Sequence, residues 1–281
     1  DGRTWSGPAP LSAPGAGATL VDAAAAGGRA VAVWTRAPGV VQAARHRPGE
    51  GWTLDGDIGA PDGGAVTPQV AMGPGGEAVA AWIGPRSEVA WAARPPGGRW
   101  AAGGDLTPPG HGASGLRMEA AGAAAVLAWT AADATVRAAR GDMCQLAERG
   151  VADWHAAWTG PVALSAAGEP CYAPRLAAGP GGALVAWHRA DARVQACLLG
   201  ADGSPGAPVD LSGDAGPGLY PSPAMGDGAA VVAWRGDGDV ARAARLGPGG
   251  WSAAEPLTRP GEAPEPPLAA VDARGAVTVA Y

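Results

Sequence analysis

A short apolar run closed by an aromatic residue recurs along the chain. It reads Ala78-Val79-Ala80-Ala81-Trp82, returns at Trp34, Trp129, Trp187 and Trp234, and ends the sequence as Val277-Thr278-Val279-Ala280-Tyr281. The steps between these aromatics are 48, 47, 58, 47 and 47 residues. A fixed period of about 40–50 residues built from strand-sized pieces is the mark of a propeller or solenoid array, and the spacing predicts six units. The runs are apolar at successive positions, with no polar alternation, so both faces of these strands must be covered.

Each unit reads as four strands. An apolar strand follows a Pro/Gly-rich loop (Pro68-Gln69-Val70-Ala71-Met72), and a Gly-rich turn (Gly73-Pro74-Gly75-Gly76) leads into the run ending in Trp, as hairpin chemistry requires. The third strand carries x-Ala-Ala-Arg at 42–45, 91–94, 137–140 and 242–245, with Gln195-Ala196-Cys197-Leu198 as the divergent copy. The fourth opens on a Gly/Trp turn and ends in Leu or Ile, as at 100–106, 158–164 and 251–257. Ala, Gly and Val suit strands near a crowded axis, and Trp suits the wider part of a wedge. The predicted fold is all-β: one six-bladed β-propeller over 1–281, made of four-stranded antiparallel blades that leave few exposed edges. The units fall at about 18–58, 67–106, 115–164, 173–211, 220–257 and 266–281, the last closed by an N-terminal strand within 1–12. A third strand for that blade is absent from the sequence, so either residues upstream of Asp1 supply it or the blade has three strands; the lack of an initiator Met favours the former.

The 47 Gly and 28 Pro fall at the period, and so describe turns and not disorder. A net charge of −6 argues against a nucleic-acid partner, which needs a basic face. No apolar run approaches the roughly 20 residues of a membrane span, and the chain shows no signal peptide. The absence of Lys, Asn and Phe is the residue usage of a GC-rich bacterial genome. A fourth strand separates Cys144 from Cys171, which places them roughly 20 Å apart on opposite faces. Three free thiols are therefore expected, favouring a reducing, cytoplasmic compartment.

The repeat resembles those of bacterial β-propellers of the sialidase-like and lectin-like kind. Asp1-Gly2-Arg3-Thr4-Trp5 is similar to the second half of the Asp-box turn, Ser-x-Asp-x-Gly-x-Thr-Trp, with Gly49-Glu50-Gly51-Trp52, Gly97-Gly98-Arg99-Trp100 and Gly249-Gly250-Trp251 as decayed copies. The resemblance implies a six-bladed fold. It does not imply sialidase activity, because the Asp box is a structural turn and the Phe-Arg-Ile-Pro-like segment of sialidases has no counterpart. Nor do the spaced Arg, Glu and Trp ligands of six-bladed fucose lectins recur in register.

Candidate site residues are those that break the repeat on the loops around the channel mouth, which join fourth strand to first and second to third. The first set holds His111, Tyr172, Tyr220 and the aligned Gln69, Arg117, Arg175 and Ser222; the second holds His188, Arg189 and Arg235 among other charged residues. Arg117 and Arg175 sit on adjacent innermost strands, where the Leu20- and Leu268-bearing units need no such residue. They read as an anion clamp, or as a structural network with Glu119, Glu169 or Asp191. Ten of the 12 Trp occupy repeat positions and read as core; Trp91 replaces a polar residue of the other units and is a candidate ligand contact, while Trp154 lies in an insertion in unit three. Catalytic motifs are lacking. The four His fall in different units, so no metal or cofactor is expected.

These features predict a monomeric module binding an anionic or polyhydroxylated small molecule, glycan-like, at the channel mouth. An enzyme using the same pocket is the alternative: a glycosidase, a lyase or a tailoring enzyme of bacterial secondary metabolism, with His188, His111, Tyr172 or Tyr220 as acid or base. A protein-interaction scaffold is the second alternative. One polar cluster among degenerate loops favours a single site over six equivalent ones.

Overall fold

A computed structural model describes residues 7–148, 157–179, 181–226, 228–263 and 265–281. The described residues form six antiparallel sheets in chain order. Their innermost strands are Thr19–Ala26, Val66–Met72, Ser114–Ala121, Cys171–Gly179, Gly218–Met225 and Leu268–Val271. Each lies against the next from the first sheet to the sixth. The chain is an all-β six-bladed propeller, and its one described α-helix covers Met143–Glu148.

The second strands explain why the apolar runs lack alternation. In Ala124–Thr130, Ala125, Leu127 and Trp129 enter the wedge shared with the second sheet, while Val126 and Ala128 enter the wedge shared with the fourth. Each such strand therefore feeds two cores, and every residue of Ala78–Ile83 and Ala124–Thr130 is buried.

The aliphatic residue ending each fourth strand packs on the Trp of the following sheet: Ile58 with Trp82, Leu106 with Trp129, Leu164 with Trp187 and Leu211 with Trp234. A hydroxyl then follows in sequence. Thr107, Ser165 and Ser212 accept hydrogen bonds from the backbone N–H of Val89, Val136 and Val194 at 2.8, 2.9 and 3.1 Å, fastening the blade's third strand to its outer edge. Gly59 takes that place in the first sheet because a Cβ there would stand 2.3 Å from the Trp82 ring. Leu11-Ser12 carries the same signature, and Leu11 packs with Trp34 as a fourth-strand end would. Of the closing strand expected within 1–12, residues 7–12 are not in a strand and residues 1–6 lie outside the described residues; among those described, Val277–Ala280 pairs with Leu268–Val271 alone.

Two expectations about Trp need correction. Trp91 is 2% exposed and belongs to the core: it packs edge-on against Trp158 at 5.7 Å and fills space left by Gly103, where a Cβ would lie 2.1 Å from its ring. The fourth-strand Trp, in turn, are not uniformly core. Trp158 is buried, Trp100 and Trp251 are half-buried, and Trp52 is 42% exposed. Fourth strands form the outer rim, where a side chain meets fewer neighbours; Trp5 and Trp154 lie outside the described residues.

The unit-three insertion starts as Met143–Glu148, whose Met143 and Leu146 close the wedge between the second and third sheets. Cys144, Cys171 and Cys197 are all free thiols, the first exposed and the other two buried. Titration without reductant is therefore expected to count one accessible thiol on the native protein and three on the denatured one. A denatured count of one would mean that two are paired.

Candidate functional site

Every inner strand of the first five sheets carries the same irregularity. Leu20, Thr67, Gly115, Ala173 and Tyr220 have φ of 54, 47, 63, 49 and 54°, and the ladder register shifts around each. Such a bulge re-aims the residues beside it. Two positions further on stand Asp22, Gln69, Arg117, Arg175 and Ser222, all half-buried along the innermost strands. The alignment of the last four holds. The counterpart in the first sheet is Asp22, not Leu20 as the sequence suggested: Asp22 stands two residues after the bulge and twelve before Trp34, as Arg117, Arg175 and Ser222 stand twelve before Trp129, Trp187 and Trp234.

The members of this set do different work. Asp22 and Ser222 are latches between blades, their oxygens accepting the backbone N–H of Val70 at 2.8 Å and of Ala269 at 3.0 Å. Gln69 donates to the carbonyl of Pro68, and Arg117 to that of Leu116 at 2.8 Å. Neither Arg117 nor Arg175 has a carboxylate within 4.0 Å among the described residues. Two of the acids considered as their partners are committed elsewhere: Arg189 takes Glu169 at 2.8 Å and Asp191 at 3.1 Å. Burial first, and then the charge of Arg175, hold the Arg117 guanidinium below its ordinary pKa, with Asp22 pulling the other way. Burial and the neighbouring Asp22 likewise push Glu119 up.

At the mouth the bulges bring three candidates together. Tyr172 is paired across the ladder with His188, and the ring of His188 lies 5.9 Å from that of Tyr172 and 6.5 Å from that of Tyr220 on the next sheet. Both Tyr are 46% exposed. Burial lowers the His188 pKa, and its Nδ1 is buried with no hydrogen-bond partner among the described residues. Beside this trio opens a cleft of about 260 Å³, lined by Leu219, Tyr220, Arg235, Asp237 and Asp239 among others. Arg235 is held there by Asp239, to which its Nε donates at 2.9 Å.

His111 stands apart from the trio. Its ring meets Trp129 at 6.4 Å, and its pKa is lowered by burial and then by Arg137. Trp91, buried in its wedge, does not join the mouth. No group of three or more His, Cys, Asp or Glu residues fit to hold a metal ion occurs among the described residues.

No protein-family model matches the chain, and no curated protein sequence does. Solved structures do. The chain is similar to the BP39L lectin from Burkholderia pseudomallei, with 15% identity and a TM-score of 0.64 over 94% of this chain and 81% of that one. It is also similar to the SapL1 lectin in complex with alpha methyl fucoside, at 13% identity and a TM-score of 0.51 over 94% and 88%. A third likeness is to AofleA from Arthrobotrys oligospora, at 12% identity and a TM-score of 0.50 over 92% and 78%. At such identities the likeness is one of fold.

Proposed function

We propose that this propeller is a glycan-binding module, acting as a monomer, whose site lies at the channel mouth between the fourth and fifth sheets. The observation that carries the reading is the trio of Tyr172, His188 and Tyr220: two half-exposed aromatic rings flank an imidazole beside an open cleft. Aromatic faces offer apolar area to the C–H face of a pyranose, while the phenols and the Arg235–Asp239 pair offer polar edges to its hydroxyls. Arg117 and Arg175 behind the mouth add two guanidiniums with no carboxylate within 4.0 Å among the described residues, which favours an acidic sugar over a neutral one. The likeness to lectin structures supports the class of ligand, and the Asp-box-like turn adds no site of its own.

An enzyme at the same place is the weaker reading. A general base needs a partner that orients it, and the Nδ1 of His188 has none among the described residues. Isothermal titration of Tyr172→Ala and Tyr220→Ala with a uronic acid such as glucuronate, and with methyl α-L-fucoside as the neutral probe, tests the trio. Each substitution is expected to weaken sugar binding by about 0.5–1.5 kcal/mol. Wild-type affinity in both variants would remove the trio from the site.

A further inference from the structure

The face opposite the mouth, formed by the hairpins between first and second strands and the turns between third and fourth, carries a second feature. Between the first and second sheets it opens a cleft of about 450 Å³ that holds four arginines: Arg29, Arg45 and Arg47 from the first sheet and Arg94 from the second. Two carboxylates answer them. Asp55 binds Arg45 and accepts the Trp100 indole N–H at 3.0 Å, and Glu50 reaches Arg47 at 3.4 Å. The other charged-capable residue on the lining is His46, whose ring packs on Trp52.

Two guanidiniums remain without a counter-charge. Arg29 donates to the Gly75 carbonyl at 3.2 Å, and the glycine at 76 makes room for it, since a Cβ there would stand 2.6 Å from Nη1. Arg94 is more unusual. It is 3% exposed, rests over the Trp100 ring at 5.7 Å, and has an Nε that is buried with no partner among the described residues. Burial, and then the charges of Arg45, Arg47 and Arg29, lower its pKa. A buried cation among like charges is costly unless a counter-ion joins it.

The arrangement is particular to this wedge. At the position of Arg29 the next four sheets have Glu77, Ala124, Gly182 and Ala229, and at that of Arg47 they have Pro96, Asp142, Gly200 and Gly247. The equivalent cleft between the fifth and sixth sheets has a similar volume, about 560 Å³, but Arg245 is its one arginine. The surplus of charge therefore comes from two substitutions in one blade of an otherwise acidic protein.

We propose that this cleft is a binding site for a phosphate or sulfate group, free or carried on a small molecule, with Arg94 and Arg29 as its principal donors and Arg47 at its rim. The guanidinium fork matches the tetrahedral oxyanion in geometry as well as in charge. The site is separate from the mouth and does not depend on the glycan reading.

The test measures thermal unfolding and titration calorimetry with inorganic phosphate, against chloride at matched ionic strength, on the wild-type chain, Arg29→Gln and Arg94→Met. Phosphate is expected to raise the melting temperature saturably in the wild type. Arg29→Gln, at an exposed position that the fold does not need, is expected to weaken phosphate binding about tenfold or more, and Arg94→Met to remove the phosphate-dependent rise, while glucuronate binding in Arg29→Gln stays at the wild-type level. Tighter binding of hexose 6-phosphate than of inorganic phosphate would assign a carried group, and equal binding a free oxyanion; either supports the site. A melting response no larger than that to chloride, or wild-type phosphate affinity in Arg29→Gln, would overturn it.

Discussion

Trp187→Ala is expected to destabilise the protein by about 3–5 kcal/mol, whereas Trp52→Ala should cost less than about 1 kcal/mol. The sequence reads both residues as core, yet Trp187, near the end of a second strand, is fully buried in the wedge between the third and fourth sheets, and Trp52, on a fourth strand at the rim, is 42% exposed. Removing the Trp187 indole also strips Gln195 of its hydrogen bond, made at 3.1 Å within the core; an amide left buried without a partner adds its own penalty. Urea unfolding of both variants, compared by midpoint at unchanged slope, reads the difference. Equal losses at the two positions would contradict the radial packing described above.

The second large effect concerns the channel. Replacing Arg117 and Arg175 together by Met is expected to weaken glucuronate binding by at least about 1.5–3 kcal/mol, the value of a hydrogen bond to a charged group. Methyl α-L-fucoside, which offers no carboxylate, should bind as before. Stability should hold or rise, because neither guanidinium has a carboxylate within 4.0 Å among the described residues and each raises the cost of burying the other. A fall in melting temperature with glucuronate affinity unchanged would make the pair structural.

What the sequence discloses follows from what repeats. The Trp-terminated runs, the Gly-rich turns and the final Leu or Ile of each unit are imposed by the wedge shape, so their period alone predicts six sheets. The trio at the mouth was partly legible, since Tyr172, His188 and Tyr220 all break the repeat on mouth loops. Their meeting was not, because it depends on a bulge that turns Tyr220 to φ 54° and on the approach of two separate sheets. Asp22 was legible and was passed over: it stands twelve residues before Trp34, the spacing that separates Arg117, Arg175 and Ser222 from their own Trp, and Leu20 drew the comparison only because it resembles Leu268. Trp91 misled because a large side chain at a polar repeat position resembles a ligand contact; the signal that returns it to the core is Gly103, which leaves the space it fills. The arginine cleft went unread because Arg29 and Arg94 are 65 residues apart and meet only across a blade boundary.

The central claim, one glycan site at the mouth between the fourth and fifth sheets, is tested most directly by the stoichiometry and position of bound sugar. Calorimetric titration with glucuronate, paired with a crystal structure of the soaked protein, is expected to give one sugar per chain, seated against Tyr172 and Tyr220 beside His188. Several equivalent sugars distributed between the blades, or a single one elsewhere with the trio empty, would contradict the account.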